Sequence, residues 1–417
     1  MALEDLQFPP GFLFGAATSA HQVEGNALNQ WSEWELKNAD RLAQEAATKS
    51  WPPEILARTP SPLQKENYIS ASACDHYNRF EEDFDIAKTL GHNAHRFSIE
   101  WSRIEPSEGH FDETAIDHYR KVVRAIRNRG MEPMITLWHW TNPLWLQAQG
   151  GVLAKKFPTC FARYARRMAQ ELGTDANLWM TLNEPTSVII NGYMRGLWPP
   201  QKKSMWHAWR AAHNLARAHR MGYAAIHEML VSAEVGFGHV MSFIEPFSSS
   251  WKDRLAAKAL DYFLNVYFLH LTKRAYDYLA IQYYFHEKVQ FPHTRRNENA
   301  VVSDMGWEVY PEGIYHLIMS LKKYAKPIYI TENGLADADD SRRPAFIENH
   351  LRMILRAIAE GAFVRGYFHW SLLDNFEWDK GFWPRFGLVA VDYQTHTRTI
   401  RPSALRYAEI IRSQKKS

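Results

Sequence analysis

The sequence predicts an α/β chain closed into a (β/α)8 barrel, and three observations lead there. Short apolar runs rich in β-branched and aromatic residues recur eight times along 417 residues. Helical patterns that stop at Gly lie between them, which is how repeated βα units around a parallel sheet read in sequence. The unusual polar residues fall where the apolar runs stop, as they do in barrels whose sites sit at the C-terminal ends of the strands. With 46% hydrophobic and 23% charged residues the chain can bury a large core, and eight such units account for residues 1–417 as a single domain.

In chain order the expected strands are Phe12–Ala20, Asn93–Ile99, Met131–Leu137, Asn177–Leu182, Ser232–Val240, Asp277–Tyr283, Pro327–Thr331 and Val364–Trp370. Phe80–Leu90, Glu113–Gly130 and Ala345–Gly361 carry apolar residues at helical spacing. Lys37–Ala73 breaks the rhythm, being polar, charged and Pro-containing, and reads as a long loop after the first strand. Glu245–Trp251 and Gln290–Ala300 read as further surface loops.

Composition narrows the chemistry. Basic and acidic residues number 49 and 46 and are spread along the chain, without the basic stripe that nucleic acid requires. Two cysteines, Cys74 and Cys160, form no CxxC pattern, so neither a disulfide framework nor a thiolate zinc site is expected. No signal peptide and no apolar run of about 18 residues is seen, so a membrane partner is not expected and a cytoplasmic location is. The 16 tryptophans, many beside polar groups, suit a sugar, whose C–H faces stack on rings while its hydroxyls need fixed partners.

The polar residues at strand ends are Gln22, Arg96, His139, Asn183, Glu184, Tyr284, Glu332 and Glu377, with Trp138, Trp370 and Trp378 beside them. Alone, Glu184 could be a solvated carboxylate at a helix start and Glu332 an ordinary turn residue. Two Glu at the ends of strands four and seven, with Arg, Tyr and Asn nearby, fit one chemistry better. Breaking a glycosidic bond with retention needs one carboxylic acid to protonate the leaving oxygen and a carboxylate about 5–5.5 Å away to attack the anomeric carbon. Glu184 suits the acid/base and Glu332 the nucleophile, kept ionised by Arg96 and a hydrogen bond from Tyr284. No metal or other cofactor is expected. His92 and His95 could prompt a metal-dependent reading, but no carboxylate cluster accompanies them.

The motifs FPPGFLFGAATSAHQVEG, CDHYNRFEEDF, HRFSIEWSRIEP, TLWHWTNPLWL, TLNEP, DMGWEVYPEG, PIYITENG and GYFHWSLLDNFEWDKGFWPRFGL run in order from Phe8 to Leu388. Together they resemble glycoside hydrolase family 1, the β-glucosidase and β-galactosidase family. WSEWE and TNPLWL look nearer to archaeal-type members than to plant ones. The resemblance implies retaining hydrolysis of terminal β-D-glucosyl residues, with galactosyl and fucosyl also taken, and again makes Glu184 the acid/base and Glu332 the nucleophile. It implies that Gln22, His139, Asn183, Glu377 and Trp378 bind sugar hydroxyls, that Trp370 is the platform under the ring, and that Arg96 and Tyr284 orient and tune the nucleophile. Phosphoglycosidase relatives lack an acid at the Glu377 position, so an unphosphorylated β-glycoside or oligosaccharide is the expected partner.

Two departures stand out. Members usually carry NYY where this chain has Gln282 in QYY, which leaves room for a catalytically weakened sugar-binding relative. The stretch Phe263–Asp277 passes almost directly into the sixth strand where members have a longer helix and loop. That shortened segment between strands five and six predicts a thin wall, apolar residues without partners, and a crevice open to a flat apolar ligand. The sequence leaves the oligomeric state open.

Overall fold

The computed structural model describes residues 6–293 and 295–414. Eight parallel strands close in the order β1 to β8: β1 (Leu13–Ala17), β2 (Ala94–Ser98), β3 (Glu132–Trp138), β4 (Leu178–Asn183), β5 (Glu234–Pro246), β6 (Leu279–Val289), β7 (Ile328–Asn333) and β8 (Val364–Trp370). β8 pairs with β1 and closes the barrel. All eight expected runs become strands, with ends displaced by a few residues; the first stops at Ala17, so Gln22 stands on the short helical turn Ala20–Val23 that follows it.

The helical expectations become Glu113–Asn128, Arg343–Ala359 and His76–Thr89. Each turns a buried stripe to the sheet; in Glu113–Asn128 that stripe is Ile116, Tyr119, Val123 and Ile126. Asp112 starts this helix by accepting from the Ala115 amide at 3.0 Å.

Two expectations change. Lys37–Ala73 is not irregular throughout, because a helix over Gln30–Ala47 reaches into it. Its start is fixed by Asn29 and Ser32, each accepting the other's backbone N–H. Its buried face is Trp31, Trp34, Ala39, Ala43 and Ala46, so alanines do the packing inside a sequence whose charges dominate the eye.

The wall between β5 and β6 is also covered. A helical run Trp251–Leu271, winding as a π-helix over Tyr262–Val266, lies between the strands. Its own Phe268 and Leu269 are buried. The two strands run on beyond the barrel rim and stay paired as far as Pro246 and Val289, forming a ribbon that stands over the C-terminal face. Asn265 ties helix to ribbon: its amide donates to Ser242 O at 2.8 Å and its carbonyl accepts from Ser242 N at 3.0 Å.

Candidate active site

A cleft of about 830 Å³ opens at the C-terminal ends of the strands and is lined by His139, Asn183, Glu184, Tyr284, Glu332, Trp370, Glu377 and Trp378. Its size lies in the range of small-molecule sites. Gln22 and Arg96 stand behind that surface, both fully buried. The ten residues expected to catalyse, tune the nucleophile or bind the sugar are therefore in or directly behind one cleft.

Glu332 ends β7 and is buried. Arg96 pairs with its Oε1, Gln282 Nε2 donates to the same oxygen, and Tyr284 donates to Oε2 at 2.9 Å. Arg96 is held in turn by Asn183 Oδ1 at 2.6 Å, Thr136 Oγ1 at 3.2 Å and Thr331 O at 3.1 Å. Burial pushes the Glu332 carboxyl up, and Arg96, Tyr284 and Gln282 pull it back. Gly334, two residues on, is required sterically: a Cβ there would meet Trp370 O at 1.8 Å.

Glu184 follows β4 and caps the turn Pro185–Val188 from the left-handed region, at φ 40°. A non-Gly residue there stores strain that the surroundings must hold. Its side chain is buried rather than solvated, and its one side-chain partner among the described residues is Ser187, whose hydroxyl donates to Oε2 at 2.7 Å. Burial, followed by the nearby charge of Glu332, pushes its carboxyl up to about 8, with Ser187 and Arg96 pulling the other way. Of the two carboxyls, Glu184 has the weaker support for a charge, so at neutral pH the proton sits on Glu184 and the charge on Glu332.

Gln282 reaches further than an Asn would. Its Nε2 donates to Asn183 Oδ1 at 2.6 Å as well as to Glu332, and it does so because β6 pairs with β7 in a register that sets Gln282 opposite Glu332. Gly238 clears the space, since a Cβ there would lie 2.8 Å from Asn183 Oδ1 and 2.9 Å from Gln282 Oε1.

The far side of the cleft is built for hydroxyls and rings. Asn183 Nδ2 donates to His139 Nε2 at 2.9 Å, which assigns the ring proton to Nδ1. That nitrogen and Gln22 Oε1 are buried without a partner among the described residues. Burial, then the charges of Arg96 and His21, holds the His139 imidazole well below its usual range, hence neutral. Gln22 Nε2 donates to Phe376 O at 2.7 Å and Asn375 Oδ1 at 3.1 Å. Burial, then Asp379, pushes the Glu377 carboxyl up to about 8, so it can donate as well as accept. Trp378 packs between Trp31 and Trp140, at 4.7 and 4.6 Å, and against His139 at 5.9 Å.

The family model "Glycosyl hydrolase family 1" matches residues 4–304 and 282–416. The chain belongs to glycosyl hydrolase family 1. Among curated family 1 relatives, Beta-glucosidase A of Thermotoga maritima is 33% identical, with 98% of each chain covered. A solved β-glycosidase from Pyrococcus horikoshii is 36% identical at TM-score 0.86, covering 98% of this chain and 96% of its own. The Thermotoga maritima β-glucosidase in complex with glucoimidazole is 30% identical at TM-score 0.85, covering 98% and 99%.

Some features of the site escape a reading by motif. Ser187 stands three residues after Glu184, a spacing that places it on the same side of a helical start, and that was the available signal. Trp140 donates to Asn183 O at 2.9 Å and Trp198 to Asp379 at 3.0 Å; nothing local marks Trp198, which arrives from the loop after β4. His92 and His95 lie away from the cleft. Burial holds both imidazoles below their usual range, and His95 Nε2 pairs with Thr18 Oγ1 at 3.2 Å. Among the described residues no three His, Cys, Asp or Glu side chains converge as a metal site.

Proposed function

We propose that this family 1 chain is a retaining β-glucosidase with Glu332 as nucleophile and Glu184 as general acid/base. The observation that carries the reading is the unequal support of the two carboxyls, three donors on Glu332 against one hydroxyl on Glu184. In the first step Glu332 attacks the anomeric carbon while the bond to the leaving oxygen breaks and Glu184 gives that oxygen its proton. Glu332, now esterified, is neutral, so Glu184 is free to ionise and takes a proton from the water that attacks the same carbon. Glu332 leaves as carboxylate, and the two inversions give net retention.

Gln22, His139, Asn183, Glu377 and Trp378 take the sugar hydroxyls, with Trp370 beneath the ring. The unpartnered His139 Nδ1 and Gln22 Oε1 support this, as do the relatives named β-glucosidase. A single carboxyl at Glu377 can serve O4 and O6 in more than one geometry, so β-galactosides and β-fucosides are accepted with β-glucosides, and a 6-phosphate is not. The alternative of a weakened sugar-binding relative rested on Gln282 and on the shortened segment; the bond Gln282 donates to Glu332 and the helical cover over β5 and β6 favour catalysis instead.

Val240, Leu260, Leu264 and Phe285 form an apolar flank of the cleft beside β5 and β6. We infer that this flank packs against the C–H faces of the leaving group. Both cysteines are free and buried, which supports a cytoplasmic location; no helix among the described residues is long and apolar enough to cross a membrane. A panel of aryl β-glycosides with wild type and Glu332→Gln tests the assignment. Release of aryl alcohol by wild type alone is expected, and cleavage by both at similar rates would remove Glu332 from its role.

A further inference from the structure

The ribbon that β5 and β6 raise above the barrel has two faces, because alternate residues of a strand point to opposite sides. His286 points away from the cleft, buried between Glu308 at 2.6 Å and Glu245 at 3.2 Å. Its neighbours Phe285 and Glu287 point into the cleft that also holds Glu184 and Glu332. Glu287 is thus a carboxyl in the wall of the active cleft, beyond the residues assigned to the sugar that is transferred.

Its surroundings leave it incomplete. Glu287 is mostly buried, with 17% of its side chain exposed, and the nearest cation is Arg295 Nε at 3.6 Å, too far for a hydrogen bond. No side-chain hydrogen bond to it occurs among the described residues. Burial pushes the Glu287 carboxyl up to about 7, Arg295 opposing and Glu308 adding to the rise. A largely buried carboxyl whose nearest cation is too far for a hydrogen bond gains from a ligand that donates one.

Arg295 is brought there by a folded loop. Arg296 N donates to Lys288 O at 2.8 Å and Asn297 Nδ2 to His286 O at 2.9 Å, which returns the chain along the ribbon and sets the guanidinium in the same cleft wall. An acceptor and a fork of donors then stand together beside the aromatic faces of Phe285 and Trp307.

Resting on the catalytic reading above, we propose that Glu287 and Arg295 form a specificity-determining pair that binds the hydroxyls of a sugar leaving group, so that the preferred substrates are β-linked disaccharides and longer oligosaccharides rather than simple aryl glycosides. A sugar hydroxyl donates and accepts at once, which this pair answers and an apolar ring does not. A purely apolar leaving group would offer this pair no hydrogen-bonding partner.

The test compares kcat/KM for a β-linked glucose disaccharide and for 4-nitrophenyl β-glucoside in wild type, Glu287→Ala and Arg295→Ala. The ratio of disaccharide to aryl activity is expected to fall about tenfold in each variant, mostly through KM, as loss of a hydrogen bond to a charged group does. Glu287→Gln, which keeps an acceptor, should retain more of the ratio than Glu287→Ala. An unchanged ratio in both alanine variants, whether both activities fall together or neither falls, would overturn the pair's role. Aryl activity in wild type with no cleavage of the disaccharide would overturn it too and leave Glu184 and Glu332 in place. Wild type inactive on both substrates would overturn the catalytic reading itself.

Discussion

Glu184 and Glu332 are the same side chain in different surroundings, and the surroundings divide the work. Replacing Glu332 by Gln removes the attacking carboxylate, so kcat should fall on the order of 10³-fold or more. With Glu332→Ala, added azide should restore part of the turnover and give a β-substrate's product with inverted configuration, which chiral analysis of the glycosyl azide would read; a retained configuration would contradict the assignment. Ser187 offers a finer probe. Its hydroxyl donates to the ionised form of Glu184 and lowers a carboxyl that burial has raised to about 8. In Ser187→Ala that help is lost, so the alkaline limb of kcat/KM should move to higher pH. A limb that stays in place, or moves down, would show that Ser187 does not act on Glu184.

At the scale of elements, the helical run Trp251–Leu271 is tied to the ribbon by Asn265, while Asp253 accepts from Phe291 N at 3.0 Å at the ribbon's end. Asn265 bonds both Ser242 N and Ser242 O, and its own carbonyl accepts from His239 Nε2 at 3.0 Å. Asn265→Ala leaves the two Ser242 groups unpaired while buried, which should cost about 2–3 kcal/mol of stability at about 1 kcal/mol or more per bond. Denaturant unfolding measures the loss, and hydrogen exchange should show faster exchange over Trp251–Leu271 than over Glu113–Asn128. Uniform loosening of both helices would mean that the run is not a separate cooperative unit.

Across the whole molecule, the buried acids of the cleft set a pH dependence on stability. Glu184 and Glu377 rise from an ordinary value of 4.5 to about 8 on folding. The folded chain therefore keeps protons that the unfolded chain releases between these values. Their contribution is fully present below 4.5 and is lost as pH rises through 8. Glu184→Gln cannot ionise, so its Tm should fall less than that of wild type between about pH 5 and pH 9. Calorimetry at the two pH values decides it, and an equal fall in both proteins would show that Glu184 carries no such proton.

The sequence by itself determined the eight strands, the cleft's polar residues and the family, because each is written locally. Apolar runs punctuated by Gly and Pro do not need their partners to be recognised, and TLNEP and ITENG stand at strand ends in any reading of the chain. It did not reveal the helix Gln30–Ala47, whose buried residues beyond Lys37 are Asn38 and the alanines Ala39, Ala43 and Ala46, nor the cover over β5 and β6. Only the tertiary structure decided that Gln282 reaches Glu332, since that follows from the register of β6 on β7. Likewise, Glu287 and Arg295 enter the cleft because the ribbon continues beyond the rim and its loop folds back. Pairing register and burial depend on residues far apart in the chain, and a local pattern carries no record of which distant backbone will lie beside it.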